Sequence, residues 1–199
     1  MTLTIYGDLN SGNCLKVKWT AEKLGLRYDW VAVDVVAGGA KAPAFRQINP
    51  AAQVPTVVLD DGRSLAQSNA IILHLAEGSE LIPADPYQRA KMLEWLFWEQ
   101  NSHEPNIAVR RRLKHLVGKP DSEIDPSLLE GGERALARME TWLGASPFLV
   151  DGKLSLADIA LSAYTRLSPQ GGFDLARFPA VKAWIGRVEA ELGLEPLPA

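Results

Sequence analysis

The sequence has one cysteine, Cys14, and three scattered histidines in 199 residues. A lone thiol excludes an internal disulfide and the Cys-x-x-Cys dithiol of a thioredoxin-type oxidoreductase, and the histidines offer no Cys/His ligand spacing, so no metal is expected. Charge of one sign is also lacking. Twenty-one Lys and Arg against 24 Asp and Glu leave a net charge of −3, which gives neither nucleic acid nor an anionic membrane a field to follow. No stretch approaches the roughly 18 uninterrupted apolar residues of a membrane span, and residues 1–6 carry neither the basic start nor the apolar run of an export signal. A reducing cytoplasm is the expected location. What is present is 47% apolar and 23% charged residues, enough for one large core or two small ones.

Two kinds of patterning divide the chain. Over 1–77, short β-branched runs alternate with helical stretches. Leu3-Thr4-Ile5-Tyr6 reads as a strand, and Cys14, Val17, Ala21 and Leu24 recur as the apolar stripe of a helix closed by Gly25. A second strand over 28–33 completes a βαβ unit, so the two strands are expected to be parallel. A Gly-rich loop at Gly38-Gly39 and a short helix over 43–48 follow. Asp60-Asp61-Gly62 then lies between strands 56–59 and 64–66 with hairpin-turn chemistry, ahead of a helix over 67–77. The order βαβαββα with an antiparallel last pair is thioredoxin-like. Residues 78–86, with two prolines and a glycine, read as a linker, and 87–199 show only helical periodicity. In that half a long helix over 87–116, kinked at Pro105, precedes helices over 126–143 and 178–191. Between them Ser155-Leu156-Ala157-Asp158 opens a buried helix with a capping box, which reads as folding chemistry.

Three features of the first half point at one small ligand. The loop ending in Ser11-Gly12-Asn13 lies at the carboxyl edge of a parallel strand and at a helix amino terminus, where an anion such as a thiolate is favoured. Gln53-Val54-Pro55 precedes the third strand. A cis bond there would turn the Val54 amide and carbonyl outward to pair with an extended peptide, and a trans strand-entry proline is the alternative. Gln67-Ser68 ends a short strand as a helix begins, with Ser68 expected to cap it and the first-turn amides suited to a carboxylate.

With Asn49-Pro50, Gln53-Val54-Pro55, Gln67-Ser68-x-Ala70-Ile71 and Ser155-x-x-Asp158 in order, the sequence resembles the cytosolic glutathione transferase superfamily over essentially its whole length. The resemblance implies a thioredoxin-like domain holding glutathione as co-substrate, a helical domain forming most of the pocket for a small hydrophobic electrophile or a disulfide, and a homodimer. Carried over by position, it implies that Val54 and Pro55 present the backbone that pairs with the cysteinyl residue of glutathione. Gln67 and Ser68 would hold the γ-glutamyl group, and Gln53 and Lys41 would approach the glycyl end. Ser11-Gly12-Asn13 is similar to the Thr-Pro-Asn of nu-type enzymes, and Ser11 falls where theta- and zeta-type enzymes keep a catalytic serine. Asn69 and Ala52 depart from the theta pattern.

Ser11 is therefore expected to activate the thiol with Asn13 as second donor. Tyr6, a strand residue, and Cys14, on the apolar stripe, are the alternatives. Trp98, His103, Arg110 and Tyr164 are the candidates for the electrophile pocket, each with a structural alternative inside the helical half. The expected activity is glutathione transfer to an electrophile. Glutathione-dependent disulfide or peroxide reduction is the alternative within the enzymes, and a ligand carrier or interaction module is the alternative outside them.

Overall fold

A computed structural model describes residues 3–196, which divide between Ser79 and Glu80 into two compact units. In the first, β1 (Leu3–Gly7), α1 (Gly12–Lys23), β2 (Tyr28–Ala32), α2 (Pro43–Ile48), β3 (Thr56–Val58), β4 (Ser64–Ala66) and α3 (Ser68–Leu75) follow in turn. The sheet order is β2-β1-β3-β4, with β1 parallel to β2 from Leu3 opposite Tyr28 to Gly7 opposite Ala32. Strand β3 runs antiparallel to both β1 and β4. This is the thioredoxin-like arrangement that the sequence pattern predicts.

Strand β1 alternates buried and half-buried residues, so its two faces meet different helices. Leu3, Ile5 and Gly7 share the face toward α1. A Cβ on Gly7 would lie 2.5 Å from the Trp30 ring and 3.2 Å from Cys14 Cβ, so glycine is what lets strand, helix and ring meet there. Tyr6 points to the opposite face. Its ring meets Phe45 of α2 edge-on at 5.9 Å, against a cluster of Val33, Ala40 and Phe45.

The second unit contains α4 (Pro86–Trp98), α5 (Glu104–Arg111), α6 (Pro126–Leu143), α7 (Leu156–Thr165) and α8 (Pro179–Leu192). The single helix expected over 87–116 is broken by two π-helical stretches, Glu99–His103 and Arg112–Leu116. Pro105 accounts for the first. It has no N–H to offer the Asn101 carbonyl and its ring would collide with that oxygen, so the backbone widens ahead of it and Pro105 sits in the first turn of α5, where no bond is required. No helix among the described residues is long and apolar enough to cross a membrane.

Helix α7 is buried along its whole length, and its Asp158 is the polar hub of the helical unit. One carboxylate oxygen accepts from the Leu149 amide at 2.9 Å and from Trp184 Nε1 at 2.8 Å. The other accepts from the Ser155 amide at 3.0 Å and from its hydroxyl at 2.9 Å. Burial pushes the Asp158 carboxyl up to about 6, and the four donors hold it back from going further. Asp158→Ala would strand these donors in the core and is expected to cost ~3 kcal/mol or more in urea unfolding. Because the folded carboxyl binds its proton more tightly than the unfolded one, its contribution to stability is full below the ordinary carboxylate value of 3.8. That contribution declines as pH rises to about 6 and is level beyond. The difference between wild-type and Asp158→Asn urea midpoints, followed across this range, measures that decline.

Candidate functional site

Two antiparallel steps separate β4 from β1, so the two strands run in the same direction, and the helices that follow them, α3 and α1, begin at the same edge of the sheet. Side by side, two helix amino termini make that edge favourable to negative charge. The loop from β1 is shaped by Asp8. Its backbone oxygen accepts from the Ser11 amide at 3.0 Å, and its carboxylate accepts from the Asn10 amide at 2.8 Å and the Val35 amide at 3.2 Å.

Ser11 is the residue that precedes α1, in extended backbone, and its side chain makes no capping bond. Its hydroxyl instead hydrogen-bonds with Cys14. Cys14 is completely buried, and burial pushes its thiol up to about 11 against the opposing effects of the Asp8 main chain and the Ser11 hydroxyl. The structure thus gives Cys14 the packed position expected of it and puts Ser11 at the opening of α1. Tyr6 lies on the face of β1 opposite Cys14 and is engaged with Phe45.

Asn13 joins the two helix ends. Its Oδ1 accepts from Lys16 Nζ at 2.8 Å and from Ser68 Oγ at 3.1 Å. Ser68 was expected to cap α3, and here the structure differs. Gln67 precedes the helix at φ +71°, so Ser68 falls one residue inside it, buried, with its hydroxyl turned to Asn13. A glutamine held at positive φ costs on the order of 1–3 kcal/mol, a strain that collects at ligand sites. The first amide to close a turn of α3 is that of Ile71, onto the Gln67 carbonyl, so the amides of residues 68–70 face beyond the helix end.

The Val54–Pro55 peptide bond is cis. Val54 is half-buried and its backbone lies outside the sheet ladder, which β3 enters only at Thr56. Asn49 braces this segment from beneath, donating to the Gln53 carbonyl at 2.9 Å and Thr56 Oγ1 at 3.0 Å while accepting the Ala51 amide at 3.0 Å. The Gln67 side-chain amide donates to Gln53 Oε1 at 3.4 Å, so these two predicted contacts are neighbours. Lys41 is exposed at the end of the short helical turn Gly39–Lys41.

The four candidates in the helical half sit in different settings. Trp98 is half-buried, edge-on to Trp95 at 5.2 Å, with the Arg138 guanidinium 4.5 Å over its ring. It borders a cleft of about 290 Å³ shared with Asn106, Gly131 and Arg134. His103 has no exposed surface, and its Nε2 lies 2.9 Å from Thr165 Oγ1. Thr165 gives its own proton to the Leu161 carbonyl, so the hydroxyl oxygen accepts from His103 Nε2–H. Arg110 is buried and holds the Gly171 carbonyl at 2.8 Å and Asp121 at 2.5 Å, while Tyr164 is buried on α7. The structure therefore gathers Ser11, Asn13 and Ser68 at one edge; in the helical half the Trp98 and His103 rings lie 6.0 Å apart, while Arg110 and Tyr164 do not border the Trp98 cleft. Among the described residues, no cluster of three or more His, Cys, Asp or Glu side chains is placed to hold a metal ion.

Lys16 is the site residue that sequence reasoning missed. Its signal was a lysine three residues after Asn13 and adjacent to the apolar stripe at Val17, a position where a charged side chain reads as surface.

The glutathione S-transferase N-terminal domain family matches residues 1–77, and the glutathione S-transferase C-terminal domain family matches 108–191. The chain is 30% identical over 182 residues to the disulfide-bond oxidoreductase YfcG of Escherichia coli (strain K12), covering 88% of this chain and 85% of that protein. It is 31% identical over 194 residues to glutathione S-transferase 3 of Zea mays, covering 92% and 86%. A crystal structure of a glutathione S-transferase from Pseudomonas fluorescens superposes with a TM-score of 0.91 at 44% identity, covering 94% of each chain.

The burial of Cys14 makes a measurable statement about its reactivity. An aromatic disulfide reagent is expected to leave the native protein essentially unmodified and to titrate one thiol in denaturant. Rapid reaction of the native protein would contradict the packed, protonated thiol.

Proposed function

The chain belongs to the glutathione S-transferase superfamily, and on that premise we propose that it binds glutathione at the joined ends of α1 and α3 and holds its thiol as a thiolate. The observation that carries this reading is the hydrogen bond from Ser68 to Asn13, which links the helix end suited to a carboxylate with the helix end suited to a thiolate. Ser11 and Asn13 donate to the sulfur. Val54 presents its amide and carbonyl to the cysteinyl backbone, Gln67 and Ser68 take the γ-glutamyl group, and Gln53 and Lys41 lie toward the glycyl end.

The energetic demand on these residues is modest. Lowering a thiol by ~2 pKa units from about 8.5 needs about 2.7 kcal/mol of preferential thiolate stabilisation, which one or two charge-assisted hydrogen bonds and a helix dipole supply. Ser11 need not act as a base, because it only donates to an anion. Glutathione supplies the nucleophile, which attacks an electrophilic carbon as the leaving group departs with the electron pair. A second reading is favoured by the similarity to a disulfide-bond oxidoreductase. In it the thiolate attacks a disulfide sulfur, a thiol leaves, and a second glutathione releases the mixed disulfide as oxidised glutathione. In either case we read the working form as a cytoplasmic homodimer.

The test is glutathione with a halonitroarene, an organic hydroperoxide and hydroxyethyl disulfide in turn, with Ser11→Ala alongside. The variant is expected to raise the pKa of bound glutathione, read from thiolate absorbance, with little loss of glutathione affinity. An unchanged titration would move the role away from Ser11. Absence of both turnover and glutathione binding would remove the enzyme reading in favour of a carrier or interaction module.

A further inference from the structure

Lys16 lies on α1 with no exposed surface. Taking an ammonium group out of water costs several kcal/mol unless polar partners replace the solvent, and a methionine would fill similar space without that cost. The partners at this lysine come from both helix ends. Its Nζ donates to Asn13 Oδ1 at 2.8 Å and reaches Asn69 Oδ1 of α3 at 3.5 Å, while Ser68 of the same α3 turn donates to the same Asn13 oxygen at 3.1 Å.

These donors fix which way the Asn13 amide faces. Were its oxygen and nitrogen exchanged, an NH₂ group would confront an ammonium and a hydroxyl that is donating toward it, so the oxygen stays on the Lys16 side and Nδ2 on the other arm. We propose that Lys16 is a positioning residue: its buried ammonium holds Asn13 Oδ1 inward against the first turn of α3 and so directs the Asn13 Nδ2 donor to the glutathione sulfur. This rests on the reading of Asn13 as a thiolate donor. The charge works in the same direction as the geometry. At the neighbouring Cys14 sulfur the field of Lys16 favours the anion, and the field of Asp8 from the β1–α1 loop opposes it.

The test is a double-mutant cycle read by titration of bound glutathione, with folding checked by urea midpoints. Lys16→Met and Asn13→Ala are each expected to raise the thiol pKa by about one unit, a tenfold fall in its ionisation constant. In the Asn13→Ala background, Lys16→Met is expected to add no further rise. Lys16→Arg, which keeps cation and donors, is expected to restore the wild-type titration. Lys16→Leu carries the same expectation as Lys16→Met should the methionine variant not fold. A folded Lys16→Met or Lys16→Leu protein that binds glutathione and titrates as wild type overturns the proposal, as does a fully additive cycle, which would assign the effect to charge alone. Wild-type protein that binds no glutathione removes the functional reading and this inference together.

Discussion

Asn13 Oδ1 accepts one hydrogen bond from its own helix and one from the neighbouring helix, and the geometry of the candidate site depends on that shared oxygen. The sheet brings the amino termini of α1 and α3 to one edge, but topology alone only places two positive helix ends near each other. The Lys16–Asn13–Ser68 network converts that proximity into register. It settles which atom of the Asn13 amide faces inward and which way the Ser68 hydroxyl points. With Ser68 turned toward Asn13, the amides at the start of α3 are left as the anion-facing groups of that helix. Gln67 at positive φ belongs to the same arrangement, because it moves the helix start by one residue and puts Ser68 where it can reach across.

Much of the first unit was legible in the sequence because its signals are periodic and local. A short β-branched run marked β1, the stripe through Cys14, Val17 and Ala21 marked α1, and Asp-Gly chemistry marked the β3–β4 turn. The misreadings came where a tertiary partner overrode a local rule. Ser68 has the residue type of a helix cap, and local grammar gives no sign of an asparagine 55 positions away that would take its proton. Lys16 has the residue type of a surface charge, and only the approach of α3 shows what it is buried against. Pro105, by contrast, was legible as the cause of a kink in the long helix, and the hydrogen-bond ladder yields ahead of it over Glu99–His103, where the missing N–H is felt.

Asp158 in the helical unit and Lys16 in the first are both completely buried, and they do different work. Asp158 satisfies two backbone amides, an indole and a hydroxyl, all of them groups that the helical unit needs paired in order to fold. Burial raises its pKa and the four donors pull it back, which is the mark of an acceptor serving the groups around it. Lys16 contacts side-chain amides on two helices, and those amides flank the edge read as the ligand site. An acceptor hub can be judged by stability alone. A donor that orients an amide next to a ligand has to be judged by what the ligand does.

Cys14 and Ser11 show why a protein with one thiol can be built to use another molecule's thiol. A nucleophilic cysteine needs exposure and a lowered pKa, and Cys14 has neither: it is fully buried and its thiol is pushed up to about 11. Burial outweighs the groups that favour its anion, the Asp8 main chain and the Ser11 hydroxyl, and the Asp8 carboxylate adds to the upward push. A thiol held protonated by packing puts no negative charge at the opening of α1, so the anion-favouring edge made by the two helix ends is left to whatever ligand binds there.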